Sequence, residues 1–244
     1  MSQLAIDIGN SRTKVAIFDA HRLIKVDRLE RLDTDSLLRY FDGHDIRQSI
    51  VSSVNDDIGF LEDILAKRTN YTRFSSQLKN SIDNRYETPD TLGLDRLAGM
   101  VAAKALYPGN SCLVIDAGSC ITYDAIDHTG IYKGGNISPG LNMRFKAMHT
   151  FTGRLPLIKL TDFEGFEGCD TATSMLSGVV NGALAELKGF IETYRLHYPG
   201  LKIILCGGDA NFFDTRLKSS IFAHTLKTEP DLVLIGLNEV IHQQ

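Results

Sequence analysis

The sequence predicts an α/β protein of two related lobes, each a mixed sheet flanked by helices, arranged about a cleft. Two observations lead there. The stretch Leu4-Ala5-Ile6-Asp7-Ile8-Gly9-Asn10-Ser11-Arg12-Thr13-Lys14 is matched in pattern, without a gap, by Leu113-Val114-Ile115-Asp116-Ala117-Gly118-Ser119-Cys120-Ile121-Thr122-Tyr123. Each copy reads as a short buried strand that delivers an aspartate, a tight glycine turn and a returning strand. Strand and helix patterns then follow each copy, and 244 residues are enough for two cores. The lobes are expected at residues 1–110 and 111–244.

The turns suggest a use. A glycine lets backbone N–H groups approach an anion, Asn10, Ser11 and Ser119 add donors, and a carboxylate at a strand end can hold a metal ion that bridges phosphates. Two such turns facing each other could grip one polyphosphate. Either copy taken alone reads better as an ordinary hairpin whose aspartate bonds turn amides. The duplication favours the first reading.

Composition narrows the field. With 43% hydrophobic and 23% charged residues and a net charge of −4, the chain matches an ordinary globular protein and gives no electrostatic case for binding nucleic acid. No apolar run approaches the ~20 residues a membrane span requires. The N-terminus runs into a strand without a charged-then-apolar leader, so a cytoplasmic location is expected. The four cysteines form no C-x-x-C pair and the seven histidines show no metal-ligand spacing, which argues against a structural zinc or a disulfide framework. Each cysteine is expected to serve as a small buried hydrophobe. No Gly-x-x-x-x-Gly-Lys-Ser/Thr segment occurs, which excludes a Walker P-loop.

Along the first lobe, residues 21–29 have the mixed alternation of a third antiparallel strand, and Asp33 offers an N-cap to a helix beginning near Thr34. Residues 49–54 read as a buried strand and 60–65 as the next helix. The polar segment 82–96 then feeds an Ala-rich helix, 97–106, that should be buried. Tyr86, Asp95 and Arg96 gather near that helix start, where amides attract an anion and arginine can hold a carboxylate through two hydrogen bonds. The alternative is that Asp95 caps the helix and Arg96 pairs with an acidic residue.

In the second lobe, residues 130–137 continue the hairpin as a third strand ending in a glycine-rich bend, and Ser138-Pro139-Gly140 turns into a helix over 141–148. This corner could frame a substrate, although Pro-Gly is also a routine turn. Residues 171–196 carry the longest helical pattern, with an apolar stripe from Met175 to Ile191 wide enough to serve both core and a subunit interface. A buried strand over 201–206 ends in Gly207-Gly208-Asp209, and residues 231–240 form a closing helix capped by Asp231.

Four segments together, Asp7 to Lys14, Tyr86 with Gly93-Leu94-Asp95-Arg96, Asp116-Ala117-Gly118-Ser119 and Gly134-Gly135-Asn136-Ile137-Ser138-Pro139-Gly140, resemble the ordered signature set of the type III pantothenate kinases. These belong to the actin-like kinase superfamily, whose lobes are ribonuclease H-like, and the resemblance runs end to end. It implies ATP-dependent phosphorylation of pantothenate, the first step of coenzyme A synthesis, by a homodimer. It also implies roles. Asp7, Ile8, Gly9, Asn10, Ser11, Arg12, Thr13 and Lys14 match the ATP phosphate loop, with Asp7 near Mg²⁺, and Ser119 matches an ATP contact. Asp95 matches the base that takes the hydroxyl proton, while Tyr86, Gly93, Leu94, Asp95 and Arg96 match pantothenate contacts. Asp116 matches the ligand of a monovalent cation, potassium or ammonium. Thr171 matches a pantothenate contact supplied across the dimer interface. Family members commonly carry threonine where this chain has Ser11 and Ser119, and the hydroxyl is kept. Two other readings are a non-catalytic nucleotide-sensing relative and a kinase for another small alcohol. The presence of Asp7, Asp95 and Asp116 speaks against the former.

Overall fold

The computed structural model describes residues 2–9, 12–54, 57–218 and 226–244. In chain order the elements are β1 (Ser2–Ile8), β2 (Thr13–Asp19), β3 (Arg22–Leu29), α1 (Thr34–Leu38), β4 (Ile46–Ser53), α2 (Gly59–Arg68), β5 (Asn70–Arg73), β6 (Asp83–Asn84) and α3 (Leu94–Leu106). There follow β7 (Cys112–Ala117), β8 (Cys120–Ile126), β9 (Ile131–Pro139), α4 (Leu141–Phe151), α5 (Thr171–His197), β10 (Lys202–Cys206), α6 (Ala210–Leu217), β11 (Leu226–Thr228) and α7 (Leu232–Ile241).

Two units emerge, one comprising Met1–Gly109, Gly130–Lys133 and Asp231–Gln244, the other Asn110–Thr129 and Gly134–Pro230. The first sheet has the order β3-β2-β1-β4-β5, and the second β11-β10-β7-β8-β9-β6. Counted from the hairpins, 3-2-1-4-5 recurs as 9-8-7-10-11, so the doubled motif is the visible part of a doubled topology. In each unit the aspartate strand lies centrally, antiparallel to its hairpin partner and parallel to the strand on its other side. Strands covered on both faces need continuous apolar runs, and both Leu4-Ala5-Ile6 and Leu113-Val114-Ile115 are buried.

The return strands depart from the gapless match. Four residues separate the paired Ile8 and Thr13, whereas three separate the paired Ala117 and Ile121. Lys14 therefore stands opposite Asp7, but Thr122 rather than Tyr123 stands opposite Asp116. A one-residue offset exchanges the two faces of a strand, so Thr13 and Thr122 are not equivalent. The strand β9 also corrects an expectation: it continues through Gly134 and Gly135 to Pro139 instead of bending there. A side chain at Gly135 would collide with the Tyr123 carbonyl of β8, so the pair serves close strand approach rather than a turn.

The closing helix was expected within 111–244, yet α7 packs on the first unit, against α3, β1, β2 and β4. Its composition explains this, since Leu232, Val233, Leu234, Leu237, Val240 and Ile241 are all buried and need an apolar surface. Asn238, 1% exposed, donates to the Ala20 carbonyl at 2.9 Å and so holds the β2–β3 turn, where Ala20 has a φ of 53°. Asp231 occupies the N-cap position without bonding a helix amide. Its carboxylate instead accepts from Arg28 Nη2 at 2.5 Å. Asp33 does cap α1, accepting from Ser36 N at 2.8 Å. Of the cysteines, Cys112 and Cys206 are buried as expected, but Cys120 is half-buried and Cys169 is exposed.

The α3–α7 contact is tight enough to test. A methyl group at Gly236 would fall inside contact distance of the Ala98 carbonyl oxygen. Alanine gains about 1 kcal/mol of helix propensity over glycine, but forced overpacking costs about 1–3 kcal/mol. Gly236→Ala should therefore lower the denaturant midpoint despite the better propensity, and a midpoint at or above wild type would refute the contact.

Candidate active site

Asp7 is carried at the end of β1, half-buried, with Lys14 opposite on β2 and Ser52 beside it on β4. Directly paired residues present their side chains on one face, so a carboxylate, an ammonium and a hydroxyl share this end of the sheet. Ile8 and Thr13 are buried at 8% and 4% exposure, Gly9 is half-buried, and Arg12 is exposed. The turn is closed by Gly9 N donating to Arg12 O at 3.1 Å. Asn10 and Ser11 lie outside the described residues.

The second cluster of the first unit forms at the start of α3. Gly93 is the N-cap, so Asp95 lies in the first turn. Its Oδ1 accepts from the adjacent Arg96 N at 2.8 Å and lies 2.6 Å from where a side-chain carbon on Gly93 would stand. Glycine at 93 thus leaves space for an exposed carboxylate folded over the helix start. Leu94 is half-buried, and Arg96 is only 8% exposed, with its guanidinium 5.6 Å from the centre of the Tyr86 ring. Tyr86 is set by its own strand end, its N–H donating to Asn84 Oδ1 at 3.1 Å. The structure therefore brings together Tyr86, Gly93, Asp95 and Arg96, which are distant from one another by up to ten positions in the chain.

In the second unit Asp116 stands half-buried at the end of β7. The chain leaving β10 turns closely across it. Gly207 has a φ of 92° and any side chain there would strike Asp116 Oδ1 and the Ala117 carbonyl, so only glycine fits. Asp209 N donates to that same Ala117 carbonyl at 2.8 Å, and burial pushes the Asp209 carboxyl above its ordinary pKa. Ser119 is exposed in the β7–β8 turn, and its carbonyl accepts from Gly140 N at 3.1 Å. Thr171 is the exposed first residue of α5, just past a capping box in which Asp170 and Thr173 bond each other's backbone. Backbone and side-chain bonds from Thr173 hold the Asp170 carboxyl below its ordinary pKa.

The residues suit the ions that the chemistry implies. Among the described residues no group of three or more His, Cys, Asp or Glu could hold a metal by itself. Mg²⁺ bound with a nucleotide needs no such cage, because it keeps several waters and takes one or two carboxylates plus phosphate oxygens. Asp7 suits that role. At Asp116, a carboxylate beside a backbone carbonyl supplies the oxygen donors that hard cations prefer.

A two-unit α/β protein with a repeated aspartate hairpin and a 3-2-1-4-5 strand order in each half has the actin-like fold. Solved structures agree at the level of fold. An activator of 2-hydroxyisocaproyl-CoA dehydratase from Clostridium difficile, solved with bound ADPNP, superposes with a TM-score of 0.57 at 10% identity, covering 100% of this chain and 97% of that one. A glucokinase from an Antarctic psychrotroph gives 0.52 at 12% identity, covering 100% and 99%. In sequence, the type III pantothenate kinase of Bacteroides fragilis strain YCH46 is 44% identical over 243 residues, covering 98% of this chain and 97% of its own. The profile of the type III pantothenate kinase family matches residues 3–193. The chain belongs to that family.

One polar cluster went unread in the sequence. Glu186, on the α5 face that carries the apolar stripe, accepts from Ser138 Oγ at 2.5 Å, Arg144 Nη2 at 2.7 Å and Tyr123 Oη at 3.0 Å. Arg144 Nε also donates to the Pro139 carbonyl at 2.8 Å. The four side chains come from β8, β9, α4 and α5, so no local pattern announces them. Together they pin the corner whose Gly140 N–H holds the Ser119 turn. Burial pushes the Glu186 carboxyl up, but the bonds from Ser138, Arg144 and Tyr123 and the Arg144 charge outweigh it and hold the group below its ordinary value of 4.5. The ionised form therefore stabilises the fold above that value, and the contribution is lost as pH falls below it. Glu186→Gln should melt earlier than wild type at neutral pH, and the gap should narrow as pH falls below 4.5. A gap that stays constant across that range would show that the charge on Glu186 contributes nothing.

Proposed function

We propose that the chain transfers the γ-phosphoryl group of ATP to the primary hydroxyl of pantothenate, the entry step of coenzyme A synthesis. Family membership along the whole chain supports the reaction. The observation that carries the site is the exposed Asp95 carboxylate, folded over Gly93 at the start of α3 beside the Arg96–Tyr86 pair.

Phosphoryl transfer asks a protein mainly for positioning and charge compensation. The Asp7–Lys14 segment would line the phosphates, with the carboxylate of Asp7 available to Mg²⁺ and the ammonium of Lys14 to a phosphate oxygen. Ser119 would supply a hydroxyl from the second turn, and Asp116 would hold a potassium or ammonium ion. When bound, Mg²⁺ neutralises charge on the β- and γ-phosphates. Asp95 would accept the proton of the attacking hydroxyl, its side chain exposed at the start of α3. Arg96 would hold the carboxylate end of pantothenate, and Tyr86, Gly93, Leu94 and Thr171 would shape the remainder of the pocket, Thr171 from a second subunit.

A homodimer is part of this reading. Phe151 at 87% and Phe166 at 83% exposure leave large apolar side chains in water on the second unit, which a partner subunit would cover. Among the described residues no helix is long and apolar enough to cross a membrane. With ATP and pantothenate as substrates, the cytoplasm is the proposed location.

Two measurements test these assignments. In a coupled assay of ADP release, Asp95→Asn should lower turnover on pantothenate by about two to four orders of magnitude while nucleotide binding and fold persist. Near-normal turnover would remove Asp95 from the role. Light scattering should give twice the chain mass at micromolar concentration, and a stable monomer that remains active would eliminate the shared site.

A further inference from the structure

Tyr86 follows β6, a strand of two residues whose backbone is tied by Asp83 N donating to Gly130 O at 2.9 Å and Arg85 N to Tyr132 O at 2.8 Å. So short a strand is marginal without side-chain packing. The packing comes from Tyr132 on β9, which pairs with Asn84 and is 0% exposed. Its ring lies 6.2 Å from the Tyr86 ring at an interplanar angle of 12°, an offset parallel stack. The Arg96 guanidinium lies 5.6 Å from the Tyr86 ring centre, within cation–π range. Tyr86 thus touches both Arg96 and the buried Tyr132.

We propose that Tyr132 is a positioning residue for the acceptor substrate: through its stack on Tyr86 it sets the placement of the Arg96 guanidinium, and so governs pantothenate affinity without touching the nucleotide. The inference rests on the reading of Tyr86 and Arg96 as pantothenate contacts. A buried tyrosine that merely fills the core would affect stability and leave the two Michaelis constants alone. A positioning residue splits them, because misplacing a carboxylate-holding arginine weakens the one substrate it holds.

The test compares Tyr132→Phe, which keeps the ring, with Tyr132→Leu and Tyr132→Met, which remove it. Tyr132→Phe should leave both constants within about twofold of wild type, while the ringless variants raise the pantothenate KM about tenfold and leave the ATP KM within about twofold. An unchanged pantothenate KM in a folded ringless variant, or an equal rise in both constants, overturns the proposal. Tyr86→Leu is run alongside. If it leaves the pantothenate KM unchanged, the substrate reading of Tyr86 fails; if it raises that constant and Tyr132→Leu does not, only the role of Tyr132 fails. Should neither ringless variant fold, wild-type protein labelled with 3-fluorotyrosine decides the matter by ¹⁹F NMR. Pantothenate should shift the resonances of both residues 86 and 132 and ATP should shift neither; a shift at 86 alone refutes the coupling.

Discussion

The backbone of α7 rests on α3 at Gly236, against the carbonyl of Ala98, and much of the first unit depends on that approach. The helix that it fixes carries Asp95 at its start. The helix α7 also lies against β1, whose far end carries Asp7, and against β4, whose Ser52 stands beside it. Six large apolar side chains of α7 are buried in this way, each worth roughly 1.5–3 kcal/mol against exposure, as an upper bound. The last helix therefore packs against the elements that carry two carboxylates 88 positions apart in the chain, Asp7 and Asp95.

The second unit reaches a similar end by polar means. Its hairpin turn is short and exposed at Ser119, so it is held from behind by Gly140 and, through that corner, by Arg144 and Glu186. A partly buried ion pair contributes little unless its remaining hydrogen-bonding groups are satisfied. Here Ser138 and Tyr123 satisfy the carboxylate, while the Pro139 carbonyl takes a further donor of the guanidinium. Beside β7, the Gly207 turn passes close to the Asp116 carboxylate and the Ala117 carbonyl.

Several of these features were legible in the residues. The Asp-x-Gly repeat marked both central strands, because a strand covered on both faces must be apolar throughout and a tight turn must be small. The Ala-rich run marked α3, and Tyr86, Asp95 and Arg96 were singled out together. What local pattern misjudged were matters of partner choice. Asp231 has the right position for a cap but a nearby arginine takes its carboxylate. The two hairpins align residue by residue on paper, yet their turns differ by one residue, and strand pairing registers that difference where a sequence match does not. Gly134-Gly135 resembles a turn signal, but its neighbour across the sheet decides that it is strand.

By itself the sequence determined that this is a doubled α/β chain with an aspartate at the head of each half, because hydrophobic periodicity and turn chemistry are local and survive without coordinates, and four ordered motifs carried its resemblance to the family. Only the tertiary structure decided that the final helix belongs with the first unit, that Asp95 bonds the Arg96 amide yet stays exposed, that Tyr132 packs against Tyr86, and that Glu186 gathers Ser138, Arg144 and Tyr123. Those outcomes depend on which surfaces meet after the chain has folded, and contacts between residues tens of positions apart leave no periodic trace in the sequence.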